Sequence, residues 1–266
     1  MRKIAFLIAF PFGVALLLAS LFAFVPASAA QAAAATAGRQ VTIYHGMPRV
    51  RAHGTATSTN WSGYAVTGAN GTFTDVKGSW VQPSVTCSRR QTAYSSFWVG
   101  LDGYNSNSVE QLGTDSDCSR GTPTYYGWWE MYPNPSMDLS TSTYPVSPGD
   151  TLTAEVSRSG SSYTLSMSSS RGWHFSTVQS GSFDNSSDEW IAEAPSSCSF
   201  TCTVLPLADF GTMTFSSCTA NGATIGSYGS SVWVDITMET SGGTVKAQPS
   251  ALNGSGDGFS DTWHHS

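Results

Sequence analysis

The sequence predicts an all-β fold of two packed antiparallel sheets, and three observations carry that prediction. Short runs alternate apolar and polar residues and are separated by clusters of Gly, Ser, Pro and Asn. Strong helix formers are scarce, and no amphipathic stretch of helical period has useful length. The composition is 40% hydrophobic and 12% aromatic with 26 Gly, which supports a core and is neither disordered nor coiled-coil. The runs fall at 72–81, 95–102, 125–132, 151–156, 163–167 and 232–238. In the last, Val232, Val234, Ile236 and Met238 share one face at strand period. Residues 57–266 span about 210 residues, within the range of one sandwich domain, and no internal repeat or second boundary interrupts them.

Ahead of this body lies a different composition. Arg2 and Lys3 introduce an apolar run over 4–25, followed by Pro26-Ala27-Ser28-Ala29-Ala30. A basic start, an apolar middle and an A-x-A site read as a secretory signal over 1–29, cut after Ala29. The run would also span a bilayer of about 20 residues, so a membrane anchor is the alternative. The small residues and Pro at its end favour cleavage and an extracellular product free of the membrane. Residues 30–56 are Ala-rich, then basic, with Arg39, His45, Arg49, Arg51 and His53 and no acid, and read as a short pro-segment or linker. A basic peptide ahead of an acidic body would lie across it electrostatically until acid or proteolysis released it.

The body is indeed acidic. The chain has 12 Lys plus Arg, and five of these precede the first acid, Asp75. The remaining 7 face all 18 Asp plus Glu, a formal net charge of −11 from residue 57 onward. No basic nucleic-acid footprint is compatible with that balance. Five cysteines lie in this exported body, where pairing is expected. Their order suggests Cys87 with Cys118, and Cys198 with either Cys202 or Cys218, leaving one thiol over.

Several chemistries are excluded by what is missing. Apart from His264 and His265 at the last residues, His174 is the only His of the body, set between Trp173 and Phe175 and read as a strand residue. No G-x-S-x-G elbow accompanies it for a serine triad. There is no H-E-x-x-H, no phosphate-cradling P-loop and no G-x-G-x-x-G. Carboxylates and amides among aromatics remain. They concentrate in Asn60-Trp61-Ser62-Gly63-Tyr64, Phe97-Trp98-Val99-Gly100-Leu101-Asp102-Gly103, Glu110-Gln111-Leu112-Gly113-Thr114-Asp115, Trp128-Trp129-Glu130-Met131-Tyr132-Pro133 and Asp188-Glu189-Trp190-Ile191-Ala192-Glu193. By strand parity Trp98 and Asp102 share a face, as do Trp128, Glu130 and Tyr132, and two such faces would line one groove. Taken singly, each of these residues has an ordinary reading, the aromatics as core and the acids as solvated surface.

Their order and spacing together resemble the glutamic peptidases, the eqolisin family of secreted acid endopeptidases, from about residue 58 to 215. The resemblance implies a concanavalin- or lectin-like jelly-roll sandwich, in agreement with the strand reading. It implies that Gln111 and Glu189 are the catalytic glutamine and glutamate, with no metal and no cofactor. It places Trp61, Trp98, Asp102, Asp115, Glu130 and Tyr132 along the substrate groove. Acid-range activity on protein or peptide substrates and resistance to pepstatin are further implications, and a monomer is expected. Asp188 stands where fungal members carry a small residue, and Glu193, four residues after Glu189 on the same strand face, is the rival carboxylate. Two other readings compete. A glycosidase would pair Glu130 with Glu189 in an aromatic groove, and a non-catalytic carbohydrate-binding module would use the Trp and Tyr side chains for sugar stacking.

Overall fold

The computed structural model describes residues 42–46, 56–198 and 200–266. The expected signal over 1–29 lies outside the described residues, as does the expected pro-segment or linker apart from 42–46 and Ala56. The strands in chain order begin with β1 (Ile43–Tyr44), β2 (Ala56–Ser58), β3 (Trp61–Thr67), β4 (Asp75–Val81), β5 (Ser96–Leu101) and β6 (Val109–Ser119). They continue with β7 (Thr122–Tyr132), β8 (Met137–Asp138), β9 (Thr151–Ser159), β10 (Ser162–Ser169), β11 (His174–Ser180), β12 (Ser187–Glu193) and β13 (Ser196–Cys198). The last are β14 (Cys202–Val204), β15 (Thr212–Ala220), β16 (Ala223–Thr224), β17 (Trp233–Glu239), β18 (Val245–Pro249) and β19 (Phe259–Trp263). A single 3₁₀ turn, Ile225–Ser227, is the only helical element among the described residues.

Hydrogen bonding runs in one order, β11-β10-β9-β4-β15-β19-β18-β17-β3-β12-β5-β6-β7-β8. Its two halves lie face to face, with β4, β9, β10 and β15 packed over β5, β6 and β12. This is the predicted sandwich of two antiparallel sheets, with one parallel exception where β2 adds to β17. A separate small sheet joins β1, β13 and β14. His174 opens the edge strand β11, as its sequence setting suggested, and is exposed there.

Burial patterns explain which strands were legible. In β10, Tyr163, Leu165 and Met167 are buried while the intervening Ser and Thr are only partly so, the signature of a sheet with one wet face. Strands β5 and β12 are buried at every position, because one face meets the core and the other lines a groove. Trp80 and Trp190 fill the core beside Leu101, Leu112, Val156 and Phe215. Their indole N–H groups are satisfied by Thr114 Oγ1 at 2.9 Å and the Lys77 carbonyl at 2.7 Å. Truncating an indole so placed costs about 3–5 kcal/mol. Trp61, Trp98 and Trp128 instead gather with Val109, Ile191 and Ile236 on the groove side.

The long β6–β7 hairpin closes through Arg120-Gly121, both at positive φ (52° and 86°), the primed two-residue turn whose twist matches its strands. Disulfides join Cys87 to Cys118 and Cys198 to Cys202, and Cys218 is the free, buried thiol. Cys218 packs in the core cluster, out of reach of the hairpin that carries Cys198 and Cys202.

Candidate active site

Four adjacent strands, β12, β5, β6 and β7, build the site through their register. Residues paired across neighbouring strands point to the same face. One row therefore reads Glu189–Gly100–Gln111–Glu130. The next, two residues along, reads Ile191–Trp98–Gly113–Trp128, and the one after that Glu193–Ser96–Asp115–Tyr126. Trp61 pairs with Glu193 from the other side, on β3. Tyr132 sits beyond Glu130 on the same face of β7, opposite Val109, and is partly exposed. Five motifs scattered over 130 residues thus meet on one face of one sheet, where the sequence reading had allowed two.

The glycines make the rows possible. A Cβ at Gly113 would lie 2.2 Å from the Phe97 carbonyl oxygen and 2.6 Å from Trp98 Cβ. At Gly100 it would approach Trp98 Cζ3 at 3.0 Å and Gln111 Cβ at 3.1 Å. Trp98 and Gln111 therefore lean over glycine backbone that no larger residue could supply at that distance.

Gln111 donates through Nε2 to Glu130 Oε2 at 3.3 Å. Only the NH₂ can donate to a carboxylate, so this contact fixes the amide orientation and turns Oε1 the other way. Glu189 Oε1 accepts from the Tyr104 backbone N–H at 3.3 Å. Gln111 Oε1 and Glu189 Oε2 meet no hydrogen-bond partner in the protein, although both residues are buried. Glu130 Oε1 and Trp61 Nε1 are in the same condition. Buried polar atoms are almost always partnered, so these four remain free to meet water or a ligand on this face.

Glu193 is bound on all sides. It accepts from Trp98 Nε1 at 2.8 Å, Asn60 Nδ2 at 3.1 Å and the Gly46 N–H at 3.0 Å. Asp115 accepts from Trp128 Nε1 at 2.6 Å and from the Tyr126 hydroxyl at 2.8 Å. Burial pushes the Glu189 carboxyl well above its usual range, with the charge of Asp102 adding to it. Burial likewise raises Glu193 to about 7, despite the opposing charge of His45. Glu130 is also raised by burial, against the hydrogen bonds and charge of His45.

Asp102 departs from the expected face. Strand β5 ends at Leu101, and Asp102 turns to φ 67°, so alternation no longer applies to it. Its carboxylate accepts the N–H groups of Asn185 at 2.6 Å and Ser186 at 2.8 Å. It ties the turn after β5 to the segment entering β12, and that turn carries Tyr104 to Glu189. The other predicted residues, Trp61, Trp98, Gln111, Asp115, Glu130, Tyr132 and Glu189, are brought together.

The sequence reading expected the basic segment 30–56 to lie across the body but placed none of its residues in the site. Ile43 and Tyr44 pair antiparallel with Ser197 and Ser196 of β13. His45 is buried, its ring parallel to Trp128 at 3.6 Å between centroids and 5° between planes. Its backbone N–H donates to Glu130 Oε2 at 2.9 Å, and Nδ1 lies 3.3 Å from the same oxygen. Its Nε2 is 3.7 Å from Asp115 Oδ1, an ion-pair separation too long for a hydrogen bond. Burial alone would lower the imidazole pKa, but Asp115 and then Glu130 outweigh it and push it up to about 10. Gly46 lies against Gln111, since a Cβ there would stand 2.8 Å from Nε2. The basic, acid-free character of 30–56 was the only signal in the sequence for this placement.

The chain is 30% identical over 233 residues to Aspergillopepsin-2 of Aspergillus niger, covering 77% of this chain and 78% of that protein. It is 30% identical over 172 residues to Scytalidopepsin B of Scytalidium lignicola, covering 61% and 63%. Scytalido-glutamic peptidase, solved with a transition state analog inhibitor, shares the fold with a TM-score of 0.66 at 24% identity, over 77% of this chain and 98% of that one. Residues 59–256 match the sequence profile of the Peptidase A4 family, and the chain belongs to that family of glutamic peptidases.

Proposed function

We propose that this protein is a secreted endopeptidase that works in acid through Glu189 and Gln111. The observation that carries the reading is their shared row and shared face, each with one buried oxygen unpartnered, separated by a glycine. The Glu189 carboxylate takes a proton from water as the water oxygen bonds to the scissile carbonyl carbon. The Gln111 Oε1 orients that water, and its NH₂ donates to the oxyanion that forms. Glu189 then returns the proton to the amine nitrogen as the C–N bond breaks, and the cycle closes with no covalent intermediate.

Burial holds Glu189 as the neutral acid in the form described above. Admission of water between Glu189 and Gln111 relieves that cause and restores the carboxylate in the acid range. Segment 42–46 stands in the way, with Gly46 over Gln111 and His45 against Glu130. The form with this segment seated is therefore the latent one, and its departure opens the groove. The leader pattern of 1–29 supports export.

The test is cleavage of a denatured protein by the purified chain across acidic and neutral pH. Wild type is expected to cleave in acid and to leave polysaccharides intact. Glu189→Gln and Gln111→Ala each lower the rate by about 10²–10⁴. Undiminished cleavage by either folded variant would refute the assignment.

A further inference from the structure

Residues 42–46 are a peptide resident in the groove, and their contacts are of two kinds. Main-chain contacts, the pairing of Ile43–Tyr44 with β13 and the bond from Gly46 to Glu193, would hold any sequence. The contact of the His45 side chain is selective. Its ring stacks flat on Trp128 while its two nitrogens lie near Glu130 and Asp115. Asp117, Asp138 and Glu193 also act on this imidazole through their charges. Among the described residues no lysine or arginine pairs with any of these five acids; the ion pairs found elsewhere are Lys77–Glu155 and Arg171–Asp150.

A pocket with one indole wall and several acids suits a flat cation. Stacking on the indole face and proximity to carboxylates both favour positive charge. An aliphatic side chain here would leave buried Glu130 facing no side-chain partner but Gln111, which is costly. Lysine would bring the charge without a plane to stack.

We propose that Trp128, Asp115 and Glu130 form a side-chain subsite for a flat cationic group, filled by histidine or arginine of a peptide substrate and, before the leader departs, by His45. This rests on the peptidase reading and adds a substrate class to it. Because Gly46 lies against Gln111, the residue in this subsite immediately precedes the residue presented to the working amide. Cleavage sites should therefore be enriched in histidine and arginine at the cut bond or one residue before it.

The test uses the full chain carrying His45→Leu with Gly46→Pro, which withdraw the resident imidazole and the main-chain bond to Glu193 that helps to seat the segment, with His45→Gln and Gly46→Pro as a second variant should the first fold poorly. Binding of labelled Val-Thr-Ile-Tyr-His-Gly, the sequence of residues 41–46, is measured by fluorescence anisotropy at about pH 5, where free imidazole is charged. Counterparts with arginine or leucine in place of histidine are measured alongside. The histidine and arginine peptides are expected to bind about ten-fold tighter than the leucine peptide, the size of one desolvated cation–π contact. Adding Asp115→Asn or Glu130→Gln should reduce that preference to about two-fold or less. Equal affinity for all three peptides overturns the proposal. Cleavage of a denatured protein by the same variants separates it from the reading beneath: cleavage with no enrichment of histidine or arginine near the cut sinks the subsite alone, and preference in binding with no cleavage sinks the peptidase reading alone.

Discussion

The two faces of the same four strands treat their acids in opposite ways. On the groove face the row is Glu189–Gly100–Gln111–Glu130; one residue along, on the core face, it is Asp188–Leu101–Glu110–Met131. Groove acids have donors: Glu193 has three, Asp115 two, and Glu130 two N–H groups from Gln111 and His45. Glu110 and Asp188 have none on any of their four oxygens, and both are fully buried. Burial pushes Glu110 up to about 9, with Asp102 adding to it, and raises Asp188 well above its usual range, with Glu189 adding to that. Core-face acids therefore stand without donors, and groove-face acids are positioned by theirs. The same residue type is proposed for chemistry on one side and sets the fold's tolerance of pH on the other.

The sharpest way to break this contrast is to exchange the two neighbours. Glu189→Gln should abolish about 10²–10⁴ of the activity with little change in stability, measured by peptide turnover and thermal unfolding. Asp188→Asn, one residue away, should do the reverse.

The glycines come next, because they separate fold from site. Gly113→Ala sets a Cβ against backbone at 2.2 Å and should destabilise by about 3 kcal/mol or more. Gly100→Ala meets only side chains at 3.0–3.1 Å, so Trp98 and Gln111 can yield by a few tenths of an ångström. It should lower turnover by about 10–100-fold while shifting the unfolding midpoint far less. A larger stability loss at Gly100 than at Gly113 would contradict the packing described.

A pH series tests the core-face acids. Carboxyl groups with folded pKa above the unfolded value bind protons more tightly when folded. Their contribution is complete below about pH 4, where both states are protonated. It is lost as pH rises through the folded values: about 6 for Asp75, about 7 for Glu193 and Asp261, about 9 for Glu110. His45, raised to about 10, acts in the same direction above its ordinary value of 6.5. Denaturant midpoints should therefore fall steadily from acid toward alkaline pH. Glu110→Gln and Asp188→Asn should flatten that slope, and an unchanged slope in both would overturn this account.

Trp98→Phe gives the smallest effect. It keeps the ring against Trp61 but removes the N–H that binds Glu193 at 2.8 Å. A loss of about 1.5–3 kcal/mol is expected from one hydrogen bond to a charged group, with an upward shift in any pH transition that Glu193 controls, because this bond holds the carboxyl pKa down.

Much of the fold was legible. Alternation in Tyr163-Thr-Leu-Ser-Met167 revealed a strand with one wet face, as in β10. The candidate site residues were chosen by their types and order, and all but Asp102 come together on one face. Asp102 escaped because parity fails where a chain leaves its strand, and φ 67° is not written in the residue type. Cys202 and Cys218 were equivalent partners for Cys198 until β13 and β14 brought the first pair together. His45 lay in a segment without periodicity or motif, and its neighbours in space, Asp115, Trp128 and Glu130, are 70 to 85 residues away.

The sequence by itself determined an acidic, low-charge β body behind a basic leader, and the set of groups able to do chemistry. Those properties are local: alternation, composition and charge are counted along the chain. Tertiary structure alone decided that Glu189 and Gln111 share a row, that Asp188 and Glu110 face the core, and that His45 lies on Trp128. A strand's period of two makes each such outcome depend on register, which is set by pairing between distant segments.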